Sequence, residues 1–412
     1  MTSPSFPALT DNAPPPADPS RMALPQGMRE RWRTTVDARA LVLVTLILLA
    51  LGVSVLFSAS IFEPLKRDRD ASAMFLRQLR SAGLGVVAFM IAAKVDVERY
   101  RKLAWPGVLL AVVLLVAVFL PGMSAHGGSR RALLSNSLQP GELTKLAVCI
   151  WVPMLIVRKG ELIRTFAHGV RPFIVVIGGL AGLVALEPDY STAAMYVALT
   201  GLLLFVGGAR LHHLALASLL AIPAGGIAYA SSGYVRERVQ AWVERDERTA
   251  AADVPEAAQQ QRQSLIAIGS GGLLGVGLAE GNQQRQWLPL PYNDFIAAVI
   301  GEELGFIGLA GVTVLFTLYG WLGFRIARHA RTPFQRLVAI GLTSTIVITA
   351  LVHIGVAIEL LPNTGLTLPF VSYGGSNLAL SLLMTGILVN IGSVRERVWM
   401  APAADPMLSP AR

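Results

Sequence analysis

The sequence contains few charged residues and almost no side chains that form disulfides or bind metals. Charged residues make up 15% of the 412 positions and hydrophobic ones 53%, which excludes a soluble domain with a polar surface. The single cysteine, Cys149, excludes an internal disulfide and a cysteine-based metal site. The six histidines lack the spacing of a zinc site, because only His212 and His213 are adjacent.

Long apolar runs take the place of these residues, and the mean hydropathy of the chain is +0.56. We predict an all-α polytopic membrane protein with about ten transmembrane helices, because repeated runs of this kind are typical of membrane spans. Nine or eleven spans stay open, since 172–208, interrupted by Pro188, also fits one bent element. The predicted spans are 41–62, 80–94, 104–120, 143–157, 172–187, 192–208, 213–231, 293–323, 337–361 and 377–393.

Basic residues in the short loops predict the orientation of the chain. The net charge is +9, and beside so many apolar runs it indicates anchoring at the cytoplasmic membrane surface rather than nucleic-acid binding. The loops richest in Lys and Arg fall on one side, which we assign to the cytoplasm together with both termini; the basic loop 63–79 is the exception. The only large hydrophilic loop, 232–292, then lies outside, between helices 7 and 8.

The chain divides into a membrane domain, 41–397, and two tails. Residues 1–40 are Pro-rich and basic, so we expect a disordered cytoplasmic tail, and 398–412 form a short second one. In the large loop we expect an amphipathic helix followed by a mobile Ala/Gln-rich part. Its glycines at 269–277 fit a nucleotide-binding loop poorly, because no strand precedes them and no Gly-Lys-Ser/Thr follows. Close approach of the backbone to another chain or to a lipid headgroup is the better interpretation.

Four polar islands interrupt the apolar sequence, all on the predicted outer face. In chain order they are 127–145 (GGSRRALLSNSLQPGELTK), 187–193 (EPDYSTA), 286–306 (QWLPLPYNDFIAAVIGEELGF) and 362–377 (PNTGLTLPFVSYGGSN). Each also has a purely structural interpretation. Asp294 and the EPD turn suit helix caps, Lys145 suits an ion pair with Glu142, Arg130 and Arg131 suit interface anchors, and 362–377 suits a buried re-entrant loop. Four islands on one face favour a common site.

The charges in the islands suit one reaction. A sugar whose anomeric carbon carries a lipid diphosphate already has a stable leaving group, so it needs positive charge rather than a general acid. The acceptor hydroxyl needs a base that takes its proton. One carboxylate with one or two cations therefore suffices, unlike the paired carboxylates of glycoside hydrolases.

The islands resemble the motifs of the SEDS (shape, elongation, division and sporulation) family, the RodA, FtsW and SpoVE proteins. NDFIAAVIGEELGFIG and TGLTLPFVSYGGS are the most specific matches, EPDYSTA is similar to (Q/E)PD-x-GT, and QPGELTK is similar to QP-x-E-x-x-K. The resemblance runs from Leu41 to Arg397, and LLPNTGLTLP and IGEELGFIG are closer to the FtsW branch than to RodA. The chain departs from the pattern at Ala132, Ser191 and Asn377, where the family commonly has Trp, Gly and Ser.

The resemblance implies a ten-helix peptidoglycan glycosyltransferase that polymerises lipid II at the outer face of the bacterial cytoplasmic membrane, for cell division or cell elongation. Asp294 would be the general base on the acceptor hydroxyl. Lys145, with Arg131 or Arg130, would supply positive charge beside the undecaprenyl diphosphate. The implied partner is a class B penicillin-binding protein, which is a transpeptidase. The other motif positions expected to bind substrate are Glu142, Asp189, Ser372 and Ser376.

Two other functions compete with this one. A lipid II transporter without chemistry needs polar residues along a path through the bilayer midplane, whereas the charges here cluster toward the outer mouths. A scaffold that only recruits other enzymes leaves Asp294 and the cations unexplained. If Asp294 is only a cap, Glu302 and Asp189 are the next candidates for the base. The sequence requires no cofactor and leaves a divalent cation open.

Overall fold

The computed structural model describes residues 28–61, 71–120, 132–133, 138–243, 256–283 and 292–399. The chain divides into two units, 1–33 with 393–412, and 34–392. In the first unit, strand β1 (Met28–Thr34) pairs with strand β2 (Ser393–Trp399) in a two-stranded sheet. Part of the tail 1–40 that we expected to be disordered therefore has regular structure, while 1–27 and 400–412 lie outside the described residues.

The second unit is built of α-helices joined by turns and short irregular segments. The helices are α1 (Val36–Ile61), α2 (Ala71–Lys94), α3 (Val97–Ala117), α4 (Pro140–Lys159), α5 (Arg171–Leu186), α6 (Tyr190–Val206), α7 (Leu211–Ser231), α8 (Gly233–Val243), α9 (Glu256–Gly271), α10 (Ile296–Glu303), α11 (Gly305–Arg328), α12 (Pro333–Ala357) and α13 (Gly375–Ile391). A 3-10 turn (Gly160–Arg164) and a π-helical turn (Phe166–Val170) connect α4 to α5.

Helix starts follow from local chemistry. Asp96 and Thr332 each accept a hydrogen bond from a backbone N–H in the first turn of the next helix, at 3.1 and 3.2 Å. Proline opens α4 and α12, at Pro140 and Pro333, where its missing N–H leaves no intrahelical bond unmade. The sequence signals for helix starts are therefore satisfied at these positions.

The predicted all-helical membrane domain is present. Among the described residues, six helices are long and apolar enough to cross a membrane, and Tyr190–Val206 and Gly375–Ile391 are shorter apolar helices. Each predicted run overlaps a helix or a pair of helices, and the count of ten spans stays a prediction. Segment 172–208 forms two helices, α5 and α6, rather than one bent element. The predicted run 293–323 is two helices as well, because α10 ends at Glu303 and α11 begins at Gly305.

The core of the bundle lies around α4 and α12. Every residue of α4 between Thr144 and Ile156 is buried, and so are 78% of the residues in the apolar 18-residue stretch of α12. Gly341 allows the helices to approach, because a Cβ there would lie 3.3 Å from the Leu203 side chain and 3.4 Å from Cys149 Sγ. Small residues at the contacts thus set the spacing of α4, α6 and α12.

The glycine-rich segment 269–277 explains the break between α10 and α11. The amides of Val276 and Gly277 donate to the carbonyls of Glu302 and Glu303 at 3.0 and 3.1 Å, so the two backbones pair. Gly305, with φ +68°, turns the chain at this contact, where a side chain would collide with the paired backbone. These glycines therefore lie close to another backbone segment of the same chain, rather than to the other chain or lipid headgroup that we expected.

Candidate active site

The fourth island, 362–377, is joined to the first and second islands by hydrogen bonds. The Gln139 amide of the first island donates to Ser376 Oγ at 3.0 Å. Ser191 Oγ of the second island donates to the Thr364 carbonyl at 2.7 Å. Ser191, which replaces the common glycine of the motif, thus forms the link between these two islands.

The fourth island is also joined to the third. Ser372 Oγ donates to the Asn293 carbonyl at 2.8 Å and accepts from the Leu368 amide at 2.8 Å. The Tyr373 amide donates to the Tyr292 carbonyl at 2.9 Å, and the two tyrosine rings meet edge to face. All four predicted islands therefore meet around 362–377, and Ser372 and Ser376 both fix that segment to a neighbour.

The path of the fourth island depends on two backbone features. Phe370 has φ +65°, a left-handed conformation that is unfavourable for a bulky residue and costs about 1 kcal/mol or more. Gly52 in α1 makes room for it, because a Cβ there would lie 2.6 Å from the Phe370 carbonyl oxygen and 2.7 Å from Val371 Cα. Gln78 of α2 donates to the Ser372 carbonyl at 3.2 Å. Helices α1 and α2 therefore hold the turn in place.

Asp294 lies half-buried in the turn 292–294, just before α10. The N-cap position of α10 is occupied by Phe295, without a side-chain cap hydrogen bond, and Asp294 stands one residue before it. Its Oδ2 is 4.0 Å from the point that a Cβ on Gly365 would occupy. The carboxylate therefore borders the fourth island.

Arg238, which the sequence analysis did not single out, lies at the same point. Its Nη1 is 3.7 Å from the Cβ position of Gly365 and donates to the Asn363 carbonyl at 2.9 Å. Its guanidinium lies over the Tyr234 ring, 4.1 Å from the centroid. Arg238 belongs to α8 in the large loop, and the sequence pattern of that helix does not indicate which distant segment Arg238 contacts.

Lys145 is buried with its predicted ion-pair partner. Its Nζ is 2.7 Å from Glu142 Oε1, and the two side chains are 2% and 12% exposed. A charged pair at this depth is stable only when both charges are compensated, and here each compensates the other. The ion pair that we predicted from the one-turn spacing is therefore present, and it lies in the first turns of α4.

Asp189 caps α6. Its Oδ1 accepts from the Thr192 amide at 3.2 Å and its Oδ2 from Thr192 Oγ1 at 2.9 Å. The Tyr196 hydroxyl, one turn further along α6, donates to the Gly141 carbonyl at 2.8 Å and thereby ties α6 to α4. The structural interpretation of the EPD turn as a cap therefore holds for Asp189, and the first two islands pack together.

Glu302 and Glu303 are buried and hold a neighbouring loop. Glu302 Oε1 accepts from the amides of Asn282 and Gln283 at 2.7 and 2.9 Å. Glu303 Oε1 accepts from the Ala279 amide at 3.0 Å and from Ser58 Oγ of α1. Glu302, the next candidate for the base, is 1% exposed; its Oε1 accepts from two backbone amides, and its Oε2 is buried without a hydrogen bond to any described residue.

Two polar atoms beside Asp294 and Gly365 are buried without a hydrogen bond in the described part of the chain. They are Asn293 Oδ1 and Thr364 Oγ1. Buried polar atoms in native proteins are normally paired, and an atom of this kind takes a water molecule or a ligand group as its partner. The surface between the third and fourth islands therefore suits a polar ligand.

The structure leaves two predictions untested, the choice between Arg130 and Arg131 and the divalent cation. Arg130 and Arg131 lie outside the described residues, so the choice between them stays a prediction. Over the residues that are described, no three His, Cys, Asp or Glu side chains converge as metal ligands would, and the divalent cation stays open. The chemistry of the described site is that of one half-buried carboxylate beside a cation and unpaired polar atoms.

Comparison with known sequences gives extensive matches. Residues 38–397 match the profile of a family described as cell cycle protein, FTSW/RODA/SPOVE. The chain is 34% identical over 369 residues to the probable peptidoglycan glycosyltransferase FtsW of Trichlorobacter lovleyi, a match that covers 89% of this chain and 96% of that one. It is 35% identical over 357 residues to stage V sporulation protein E of Bacillus subtilis, covering 85% and 95%.

Solved structures share the fold. A chain from work on structural coordination of polymerization and crosslinking by a peptidoglycan synthase complex matches with a TM-score of 0.69 at 24% identity, over 86% of this chain and 97% of that one. The rod shape determining protein RodA of Thermus thermophilus matches with a TM-score of 0.61 at 25% identity, over 86% and 95%.

Proposed function

The chain belongs to the FtsW, RodA and SpoVE family, and from that premise we propose that it polymerises lipid II with Asp294 as the general base. It is a peptidoglycan glycosyltransferase and an integral protein of the bacterial cytoplasmic membrane. The observation that carries the assignment of the base is the position of Asp294. It stands directly before α10 and borders the segment that unites all four polar islands.

In the proposed reaction, the acceptor hydroxyl attacks the anomeric carbon of the lipid-linked donor. The new glycosidic C–O bond forms as the C–O bond to the diphosphate breaks, and undecaprenyl diphosphate leaves with the electron pair. Asp294 takes the proton of the hydroxyl. The unpaired oxygens of Asn293 and Thr364, next to Asp294 and Gly365 in the chain, are our candidates for hydrogen bonds to sugar hydroxyls.

Positive charge stabilises the diphosphate as it leaves. Because Lys145 is buried against Glu142, we assign direct contact with the diphosphate to Arg130 or Arg131 and a supporting electrostatic role to Lys145. Glu142, Asp189, Ser372 and Ser376 then act by shaping the site, since each is engaged in an internal contact. This division separates the residues that react from those that hold them.

The active face is proposed to be extracytoplasmic, with both termini in the cytoplasm. Single cysteines at Ser270 and His329, in a Cys149→Ser background, test this, because both positions are exposed. We expect an impermeant thiol reagent to label the first in intact cells and the second only after lysis. Labelling in the opposite order would place Asp294 in the cytoplasm and exclude the proposed mechanism.

The proposed partner is a class B penicillin-binding protein, which would cross-link the strands that this chain polymerises. A chain from work on a peptidoglycan synthase complex, in which polymerization and crosslinking are coordinated, shares this fold, and this supports the proposal. The assay therefore combines the full-length protein with its cognate transpeptidase and uses labelled lipid II as the substrate.

Asp294→Asn tests the base directly. Asn is nearly isosteric but accepts no proton, so we expect polymerisation to fall by at least about 10²-fold, the lower range for general-base catalysis. Thermal stability in detergent and binding of lipid II should stay close to those of the wild type. Near-normal polymerisation by folded Asp294→Asn protein would remove Asp294 from the mechanism. If the wild-type protein moved lipid II across vesicle membranes but made no polymer, a transporter would be favoured instead.

A further inference from the structure

Arg238 and Asp294, which belong to different segments, both lie close to Gly365 of the fourth island. Arg238 Nη1 and Asp294 Oδ2 lie 3.7 and 4.0 Å from the same position, where a Cβ of Gly365 would be. Gly365 has φ +70° and no side chain, so nothing from this residue stands between the guanidinium and the carboxylate. The titratable groups that the described contacts bring to this point are Asp294, Arg238 and Tyr234.

The segment that carries Arg238 is fixed to the end of α12. Trp242 Nε1 of α8 donates to the Glu359 carbonyl at 3.1 Å. Gln261 Nε2 of α9 donates to the Leu361 carbonyl at 2.9 Å, and Ser264 Oγ to the Ala357 carbonyl at 2.8 Å. Hydrogen bonds from the helices of the large loop therefore fix the chain that leads into the fourth island, and with it the position of Arg238. From Glu256 onward the Ala/Gln-rich part that we expected to be mobile forms α9, and its earlier residues lie outside the described part of the chain.

The guanidinium itself is also constrained. One Nη1 hydrogen bond to the Asn363 carbonyl and the face of Tyr234 fix its plane. A planar guanidinium that is held on two sides presents its remaining donors in a set direction, which a lysine ammonium cannot do. Nearby positive charge also favours the ionised form of a carboxylate, the form that a general base requires.

We infer that Arg238 is a positioning residue of the active site, whose guanidinium orients the Asp294 carboxylate toward the acceptor hydroxyl. The inference rests on the proposed role of Asp294 as the base. Arg238 contributes to catalysis through Asp294 and takes no part in binding the leaving diphosphate.

The chain offers a matched control on the same helix. Arg236 is also an arginine beside a tyrosine, with its guanidinium 5.9 Å from the Tyr229 ring centroid. Its Nη2 donates to the Ala230 carbonyl at 2.6 Å, at the end of α7 and away from Gly365. Arg236→Gln therefore removes the same charge from α8 without changing the surroundings of Asp294.

The test compares Arg238→Gln, Arg238→Lys and Arg236→Gln in the full-length protein with its partner, on labelled lipid II. For Arg238→Gln we expect kcat to fall by about 10- to 100-fold with KM changed less than about threefold. The deficit should shrink as pH rises, because alkaline pH restores the ionised carboxylate. Arg238→Lys should recover the wild-type pH profile and part of kcat, and Arg236→Gln should match the wild type.

Three results would overturn the inference. A raised KM with unchanged kcat would mean that Arg238 binds substrate. A loss that is independent of pH and not rescued by lysine would mean that it only supports the fold, and melting in detergent identifies that case. Wild-type kinetics in Arg238→Gln would mean that it does neither. In each case an inactive Asp294→Asn protein leaves the proposed function intact, so the two hypotheses fail separately.

Discussion

The two sides of the polar surface differ in how their charges are partnered. On the first side, formed by the first and second islands, Lys145 pairs with Glu142, and Asp189 caps α6. On the second side, formed by the third and fourth islands, Asp294 stands one residue before the N-cap of α10, and Asn293 Oδ1 and Thr364 Oγ1 are buried without a hydrogen bond among the described residues. Two aspartates in similar sequence positions therefore differ in setting, because Asp189 occupies the N-cap of α6 and Asp294 lies outside that of α10.

The difference separates scaffold from reaction. A carboxylate whose two oxygens both accept hydrogen bonds from the first turn of its own helix is engaged in holding the fold. A half-buried carboxylate beside unpaired polar atoms is the better candidate to meet a substrate. Disturbing one side or the other should therefore give effects of different size.

Lys145→Met should have the largest effect on the first side. It leaves Glu142, which is 12% exposed, without its cation, and removing one partner of a buried pair costs about 3 kcal/mol. We expect a clear fall in melting temperature in detergent, together with weaker lipid II binding and slower polymerisation, because the charge acts in ground and transition states alike. Lys159→Met, at the other end of α4, is the control. Unchanged stability in Lys145→Met would mean that the two sides are partnered alike.

Ser372→Ala should disturb the second side through geometry alone. It removes the hydrogen bonds to the Asn293 carbonyl and from the Leu368 amide, which together contribute about 1–3 kcal/mol. We expect polymerisation to fall by roughly tenfold, because the turn that carries Asp294 loses its link to the fourth island. Ser54→Ala, whose hydroxyl bonds only within α1, should behave as the wild type. Equal activity of the two variants would show that the third island is positioned by other contacts.

Asp189 should give the smallest effects. Asp189→Asn keeps a good cap, so we expect polymerisation and stability close to the wild type, in contrast to Asp294→Asn. Asp189→Ala removes the cap and should cost about 1 kcal/mol of stability, with a loss of activity no greater than about threefold. Melting curves and polymerisation rates of the two variants measure this. A large loss of activity in folded Asp189→Asn protein would move the base to the second island.

The sequence predicted the parts of the fold that depend on local pattern. Apolar runs located the helices, and polar residues between them located four islands that do meet around 362–377. The cap was assigned to the EPD turn and to Asp294 with equal reason, since both have the residue type that caps favour. In the structure Asp189 is the N-cap residue of α6, whereas Phe295 takes that position in α10 and Asp294 precedes it.

Features that depend on contacts between distant segments could not be predicted from local pattern. The run 293–323 looked continuous, because its break at Gly305 comes from backbone pairing with residues about thirty positions earlier. Arg238 was one basic residue among several in the large loop, and its importance follows only from where Asn363 and Gly365 lie. The pairing of Met28–Thr34 with Ser393–Trp399 is likewise invisible to any local signal.

The segment at the centre of the site, 362–377, contains no charged residue. The electric field at the reacting atoms is therefore set by side chains mounted on other segments, and 362–377 decides only how those segments are spaced. Substitutions within it change distances and leave the charges intact, whereas substitutions at Asp294, Arg238 or Lys145 do the reverse. The fit to the acceptor sugar and peptide can thus diverge between relatives through this segment while the proton-transfer chemistry stays the same.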